Sequence, residues 1–136
     1  MRRVGFAAVL AVVPVVAPAQ ESRLVVELNK LEPAEGTCQA FFLFRNGTGR
    51  TLEAFELSLA VLDSEGIIDR LLSIDAAPVP LNRTTLRLFE IPGMACTDVS
   101  EIILHEVPSC AAQDGEPIDC FSVIELVSRA DARLVK

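Results

Sequence analysis

Residues 52–63 read LEAFELSLAVLD, and their regular alternation decides the fold class. Every second residue over 55–61 is apolar, and the residues between are small or polar. A period of two residues is typical of a β-strand that buries one face. A helix would place Glu53, Glu56 and Ala60 on one polar side, but the two-residue period is longer and more regular. We therefore predict a strand over this segment.

Six further segments have strand-like patterns and are separated by turn-forming residues. Residues 46–49 (Asn-Gly-Thr-Gly) favour a chain reversal, because asparagine and glycine tolerate positive φ angles. Residues 63–66 predict a type I turn with a glycine bulge, which would pair the central segment with the next strand. About seven short strands separated by turns predict an all-β fold, a single antiparallel sandwich of immunoglobulin-like architecture. The six further segments are Leu24–Asn29, Cys38–Arg45, Ile67–Ile74, Thr84–Ile91, Glu101–Val107 and Phe121–Ser128.

Prolines mark several of the predicted strand ends. Pro78 and Pro80 indicate a crossover, because proline cannot donate to the hydrogen-bond ladder of a central strand. Pro92 is expected to close one strand, and Pro108 is expected to end the strand after it. The closing residues 130–135 are expected either to extend the last strand or to form a short helical tail.

The first nineteen residues have the composition of a secretory signal peptide. Arg2 and Arg3 precede an uncharged apolar run, and residues 17–19 supply the small-x-small pattern that a signal peptidase cuts. The apolar run is shorter than the roughly 20 residues that span a bilayer, so we expect no stable membrane insertion after cleavage. We predict a signal peptide over 1–19 and one domain over 20–136, located in the periplasm or secreted.

The charge of the chain excludes several classes of partner. Loss of the two arginines Arg2 and Arg3 would change the formal net charge from −7 to −9. An acidic chain without a basic stripe repels phosphate backbones and anionic membrane surfaces, so no nucleic-acid binding is predicted. The chain also has no Trp and no Tyr, which disfavours a carbohydrate site built on an aromatic platform.

The four cysteines predict two disulfides, because their number is even and the predicted compartment is oxidising. Three pairings are possible. Cys110 and Cys120 flank a polar loop between the last two predicted strands, so we expect them to meet at the base of a hairpin. Cys38 then pairs with Cys96. The close pairs of cysteines that redox and zinc sites need are absent from this spacing.

His105 is the one histidine and the weak candidate for a functional site. It lies in a predicted strand and is expected to face partly outward. No catalytic residues are predicted, because a Ser–His–Asp site would need a serine on a Gly-x-Ser-x-Gly elbow, and that motif is absent. A soft copper site from Met94, Cys96 and His105 would require Cys96 to stay reduced.

Acidic residues concentrate in the loop between Cys110 and Cys120. Asp114, Glu116 and Asp119 do not have the spacing by which a calcium loop converges its oxygens. A solvated loop is expected instead. We therefore predict neither a metal nor a cofactor for this chain.

Several stretches of the chain resemble a known family of small proteins. They are CQAFFLFRN (38–46), LDSEGIIDR (62–70), LFEIP (88–92) and the segment 96–109. Together they resemble small uncharacterised exported proteins of Gram-negative bacteria, which are often labelled only "Tat pathway signal sequence" proteins. The resemblance implies export but supplies no activity and no catalytic residues. The turn and strand pattern is also similar, more loosely, to immunoglobulin-like modules of bacterial envelope proteins.

These observations predict a non-enzymatic periplasmic domain that binds another envelope protein. An edge strand of a sandwich can accept an added strand from a partner. The segments considered for this role are Leu24–Asn29 and Ile67–Ile74. The alternative is a periplasmic small-ligand or metal-binding protein that uses His105 and nearby acids.

Overall fold

The computed structural model describes residues 1, 5, 10–15 and 23–136. The predicted cleavage site at Ala19 and most of the predicted signal peptide therefore lie outside the described residues. Residues 10–15 have no regular secondary structure, and their large apolar side chains are exposed. Across the described ranges, no helix is long and apolar enough to cross a membrane.

The fold is a sandwich of two four-stranded sheets, which confirms the predicted all-β class. The first sheet has the order β5-β2-β1-β7, and the second sheet has the order β4-β3-β6-β8. The strands are β1 (Leu24–Ala34), β2 (Thr37–Asn46), β3 (Leu52–Leu62), β4 (Ile68–Asp75), β5 (Thr84–Pro92), β6 (Glu101–Ala112), β7 (Ile124–Ser128) and β8 (Arg133–Val135).

The alternation of residues 52–63 forms β3 as predicted. Phe55, Leu57 and the other apolar residues of that face are buried between the sheets. The ring of Phe55 meets Phe44 of β2 edge to face, with centroids 5.8 Å apart. The predicted turn joins β3 to β4, and Gly66 has the positive φ of 78° that the turn requires. This pair of strands therefore forms the hairpin that the sequence indicated.

The chain crosses between the sheets at the predicted reversal and again at the prolines. Asn46 ends β2, and its side-chain Nδ2 donates to the carbonyls of Arg50 at 2.7 Å and Val79 at 2.9 Å. These bonds stabilise a connection that leads from the first sheet to the second. β2 and β3 therefore do not form a hairpin. The segment containing Pro78 and Pro80 returns the chain to the first sheet, which confirms the predicted crossover.

The sandwich is not purely antiparallel, and this corrects the prediction. β1 pairs in parallel with β7, where Leu24 faces Ile124, and β6 pairs in parallel with β8. The chain crosses between sheets before each of the last two strands, so neither is reached through a hairpin. Residues 130–135 neither extend β7 nor form a helical tail, because residues 133–135 form β8 in the other sheet.

Three predicted strand boundaries are wrong: β1 continues past Asn29 to Ala34, and two others differ for local reasons. β6 does not end at Pro108, because its register against β3 shifts between Glu56 and Ser58. A β-bulge there lets the strand continue without the proline N–H. The segment predicted from Phe121 begins instead with one helical turn, α1 (Cys120–Val123), and β7 starts only after it.

Candidate binding surfaces

The structure contains both predicted disulfides, Cys38–Cys96 and Cys110–Cys120. β6 and β7 lie in different sheets and do not pair, but the loop between the second pair of cysteines folds back as predicted, with an antiparallel bridge between Ala111 and Pro117. The Cys110–Cys120 bond joins the end of the second sheet to α1. The first bond ties β2 to the 3₁₀ turn Cys96–Asp98. Two disulfides indicate an oxidising compartment.

The structure does not assemble Met94, Cys96 and His105 into a copper site. Cys96 is bonded to Cys38, so its sulfur is not a free thiolate. Met94 is buried in the core. His105 is exposed on β6, and its Nε2 lies 3.8 Å from Oε1 of Glu106. Within the described residues, no group of three or more His, Cys, Asp or Glu side chains is placed to hold a metal.

The acidic loop has structural contacts that account for its charges. Arg50 Nη2 lies 3.3 Å from Asp114 and 3.0 Å from Glu116. Asp119 caps α1, because its carboxylate accepts hydrogen bonds from the backbone and the hydroxyl of Ser122. Asp114 and Glu116 therefore meet at Arg50, whereas Asp119 caps α1, so the three carboxylates do not converge on one point.

The long edge strands carry charged residues that point toward the interior. Leu24–Asn29 is not an edge, because β1 lies between β2 and β7, whereas β4 and β5 are edges. The side chain of Arg70 lies on the inner face of β4 and contacts the carbonyl of Pro92 on β5. Arg87 of β5 donates to the carbonyl of Pro78 at 3.2 Å. Inward-facing charges of this kind hinder the addition of a further strand.

Exposed apolar side chains concentrate on one part of the sandwich. Within residues 23–136, six of the seven large exposed apolar residues lie in the segment 67–88. This segment contains β4, the connection from β4 to β5, and the first half of β5. Two of them, Leu86 and Leu88, point outward from the first sheet. The six residues are Ile67, Ile68, Leu71, Leu81, Leu86 and Leu88.

The two leucines of β5 extend into an apolar strip on the neighbouring strand. Leu86 pairs with Leu43 of β2, and Leu88 pairs with Phe41. Directly paired residues of an antiparallel sheet lie on the same face, about 5 Å apart. We call Phe41, Leu43, Leu86 and Leu88 the apolar strip.

A buried carboxylate lies beside the apolar strip. Glu27 of β1 pairs in register with Leu43, and its side chain is 2% exposed although the face is the outer one. It accepts hydrogen bonds from Asn29 at 2.8 Å, from Arg45 at 2.9 Å and from Arg129 at 3.3 Å. The bonds from Asn29 and Arg45 lower the pKa of Glu27 against the opposing effect of burial.

The outer faces of the two sheets differ in charge. On the first sheet, three acids are matched by cations, Glu27 by two arginines, Glu125 by Arg23 at 2.9 Å, and Glu32 by Lys30, whereas the exposed Glu90 of β5 is in none of these pairs. The outer face of the second sheet is more acidic. It carries Glu56, Asp69, Asp75 and Glu106.

Two adjoining cavities lie at the end of the β1–β2 hairpin, and we call them the hairpin groove. The first has a volume of about 510 Å³ and runs between the second half of β1 and residues 129–132. The second has a volume of about 430 Å³ and lies at the hairpin tip. Pro33, Cys96 and Thr97 line both cavities.

The fold and these surfaces define the class as a disulfide-bonded β-sandwich of two four-stranded sheets. No family model matches the sequence, and no curated protein matches it. The structure is similar to that of IrmA from Escherichia coli, with a TM-score of 0.59 and 14% sequence identity. The match covers 78% of this chain and 92% of the IrmA chain. At this identity, the likeness concerns the fold.

Proposed function

We propose that this protein is a non-enzymatic interaction module of the cell envelope, and that its apolar strip binds another envelope protein. The observation that carries the proposal is the exposure of Leu86 and Leu88, at 56% and 47%, beside two further apolar residues of β2. Burial of apolar surface in a complex contributes about 25 cal/mol per Å². Contiguous exposed apolar patches mark interaction sites.

The charges around the apolar strip suit a surface that becomes buried. Glu27 already has three hydrogen-bond donors, so a partner that covers this face would not leave its charge unpaired. Unpaired buried charges are among the largest penalties in an interface. The acidic outer face of the second sheet favours solvent. A partner with an apolar centre and few charges therefore fits the first sheet.

Docking through side chains fits this molecule better than the addition of a strand at β4 or β5. Both edges carry an inward arginine, Arg70 or Arg87, at the open side of the sandwich. A strand added there would have to pair beside these charges. The leucines of the apolar strip point away from the sheet and meet no such obstacle.

Export to the periplasm is part of the same proposal. The composition of residues 1–19, the resemblance to exported Gram-negative proteins and the two disulfides support it. The large apolar side chains of residues 10–15 are exposed, so they contribute nothing to the core. This is the behaviour expected of a segment that is removed.

Site-specific photo-crosslinking in Gram-negative cells that express the full chain tests the proposal. A photoreactive residue at Leu88 should yield a discrete protein adduct, and the same residue at Ser73, on the outer face of the second sheet, should not. The adduct should disappear when Leu86→Lys is added. No adduct at position 88, an adduct unaffected by Leu86→Lys, or an adduct with a second copy of this chain alone would contradict the proposal.

A further inference from the structure

The second half of β1 has an empty strand position beside it. β7 pairs with β1 only over Leu24–Leu28, and Arg129 then donates its backbone N–H to the carbonyl of Leu28 at 2.9 Å. After Arg129 the chain crosses to the second sheet, where it forms β8. Among the residues that the structure describes, no strand pairs with residues 30–34 on this side.

The empty position is the first cavity of the hairpin groove, so it has walls on both sides. Lys30, Leu31 and Pro33 form one wall, and residues 129–132 form the other. Val99, which is buried, closes the floor. Each residue of an extended strand advances about 3.3 Å. The five residues of β1 that have no neighbouring strand on this side therefore extend over roughly 17 Å.

The second cavity is an apolar pocket with small residues around it. Its walls include Gly36 and Gly93, which both have a φ of 71°, and the Gly93 N–H donates to the Gly36 carbonyl at 2.8 Å. Ala95 adds a short exposed side chain, and Met94 forms a buried base. Methionine adapts its shape to different apolar groups.

A polar group in the second cavity lacks a partner. Thr37 lines this cavity, and its Oγ1 is buried without a hydrogen bond. A buried hydroxyl without a partner is costly, and such groups in folded proteins call for an explanation. The Oγ1 atom is not exposed to the cavity as it stands, so a bound ligand that carries a donor or an acceptor would satisfy this hydroxyl after the Thr37 side chain rotates towards the cavity.

We infer that the hairpin groove binds an extended peptide segment of about five residues from another protein. The peptide backbone pairs with the free side of β1 at residues 30–34. An apolar side chain of the peptide enters the pocket above Met94, and a peptide backbone group bonds to the Thr37 hydroxyl once the Thr37 side chain has rotated towards the cavity. An extended peptide supplies a backbone that can pair with β1, an apolar side chain for the pocket and a backbone group that can bond to the hydroxyl. Pro33 has no N–H and so narrows the set of registers that can pair.

This inference goes beyond the proposed function, because the groove and the apolar strip consist of different residues, although Lys30 of the groove wall lies over the ring of Phe41 at 4.4 Å and so adjoins the strip. None of Phe41, Leu43, Leu86 and Leu88 lines the groove. Either site can therefore be tested without the other.

Selection from a random-hexapeptide display library on the oxidised protein, prepared by export from cells, tests the inference. Enriched peptides should share an apolar position, and their binding should shift the backbone amide resonances of residues 30–37. Thr37→Val should weaken binding about fivefold to tenfold, the effect of one lost hydrogen bond. The same variant should not lower the unfolding midpoint, because it removes an unpaired hydroxyl. Ala95→Trp should abolish binding by filling the pocket, and Ser64→Trp on the β3–β4 turn is the matched control.

Three results would overturn the inference. The first is a library that yields no binder. The second is a set of binders whose affinity is unchanged in Ala95→Trp. The third is a set of binders lost in Leu86→Lys but kept in Ala95→Trp, which would locate peptide binding on the apolar strip. Failure of the crosslinking experiment at Leu88 would leave the result at the groove unaffected.

Discussion

The carboxylate of Glu27 and the guanidinium of Arg45 lie 2.9 Å apart on the outer face of the first sheet, and Glu27 is almost fully buried there. Together with Asn29 and Arg129, this pair links three neighbouring segments of the sheet. Hydrogen bonds to charged groups contribute about 1.5–3 kcal/mol each, more than neutral ones. The pair therefore stabilises the sheet beside the apolar strip.

Glu27→Gln should lower the free energy of unfolding by about 1–3 kcal/mol at pH 7. Because the pKa of Glu27 is lowered in the folded protein, its contribution is present above the unfolded pKa near 4.5 and is lost as pH falls through the folded pKa. Urea unfolding between pH 7 and pH 2.5 should show the two proteins converging in acid. Glu125→Gln is the control, since that carboxylate is 45% exposed and should matter little. Parallel pH profiles for wild type and Glu27→Gln would refute this role.

Asn46→Ala should destabilise the fold by about 2–3 kcal/mol, because Thr48 loses the Oδ1 acceptor of Asn46 and two backbone carbonyls each lose one of their donors. These are the carbonyls of Arg50 and Val79, at the passage between the sheets. Thermal and urea unfolding measure the effect. Gln113→Ala, in an exposed loop, should change stability by less than about 0.5 kcal/mol. Equal effects of the two substitutions would show that the passage does not depend on Asn46.

Arg70→Thr and Arg87→Thr should increase self-association, because each removes an inward charge from an exposed edge strand. Sedimentation velocity over a range of concentrations should show larger species for these variants than for wild type. Arg83→Thr removes an exposed charge outside β4 and β5 and is the control. If all three variants sediment like wild type, the arginines do not protect the edges.

The two disulfides should differ in their contribution to stability. Cys38 and Cys96 are separated by 58 positions, and Cys110 and Cys120 by 10. Loop-closure entropy then gives about 4 kcal/mol for the first bond and about 3 kcal/mol for the second. Double alanine variants of each pair, compared by guanidinium unfolding, should rank in that order. The reverse order would show that local packing outweighs chain entropy here.

The sequence predicted the features that depend on local pattern. The alternation around Leu57 identified β3, and the glycine at position 66 identified its turn. The cysteine pairs were also predicted, although Cys110–Cys120 joins β6 to α1 rather than two paired strands. The parallel pairing of β7 and β8 was missed, because strands of five and three residues carry too little pattern to indicate direction.

The candidate surfaces were harder to predict, because they depend on which strands become neighbours. Glu27 alternates with apolar residues in its strand and so resembles any solvent-facing acid. Its burial depends on Arg129, which is 102 positions away in the chain. Leu86 and Leu88 alternate like core residues, and only the sheet order shows that they point outward.

The parallel pairing of β1 with β7 has a consequence for the order in which this protein can fold. The first strand needs the segment from Ile124 to Ser128 as its neighbour, and β6 needs Arg133 to Val135. Synthesis proceeds from the N-terminus, so both sheets stay incomplete until β7 and β8 have emerged. A nascent chain of this protein therefore lacks the native neighbours of β1 and β6 until residues 124–135 have left the ribosome.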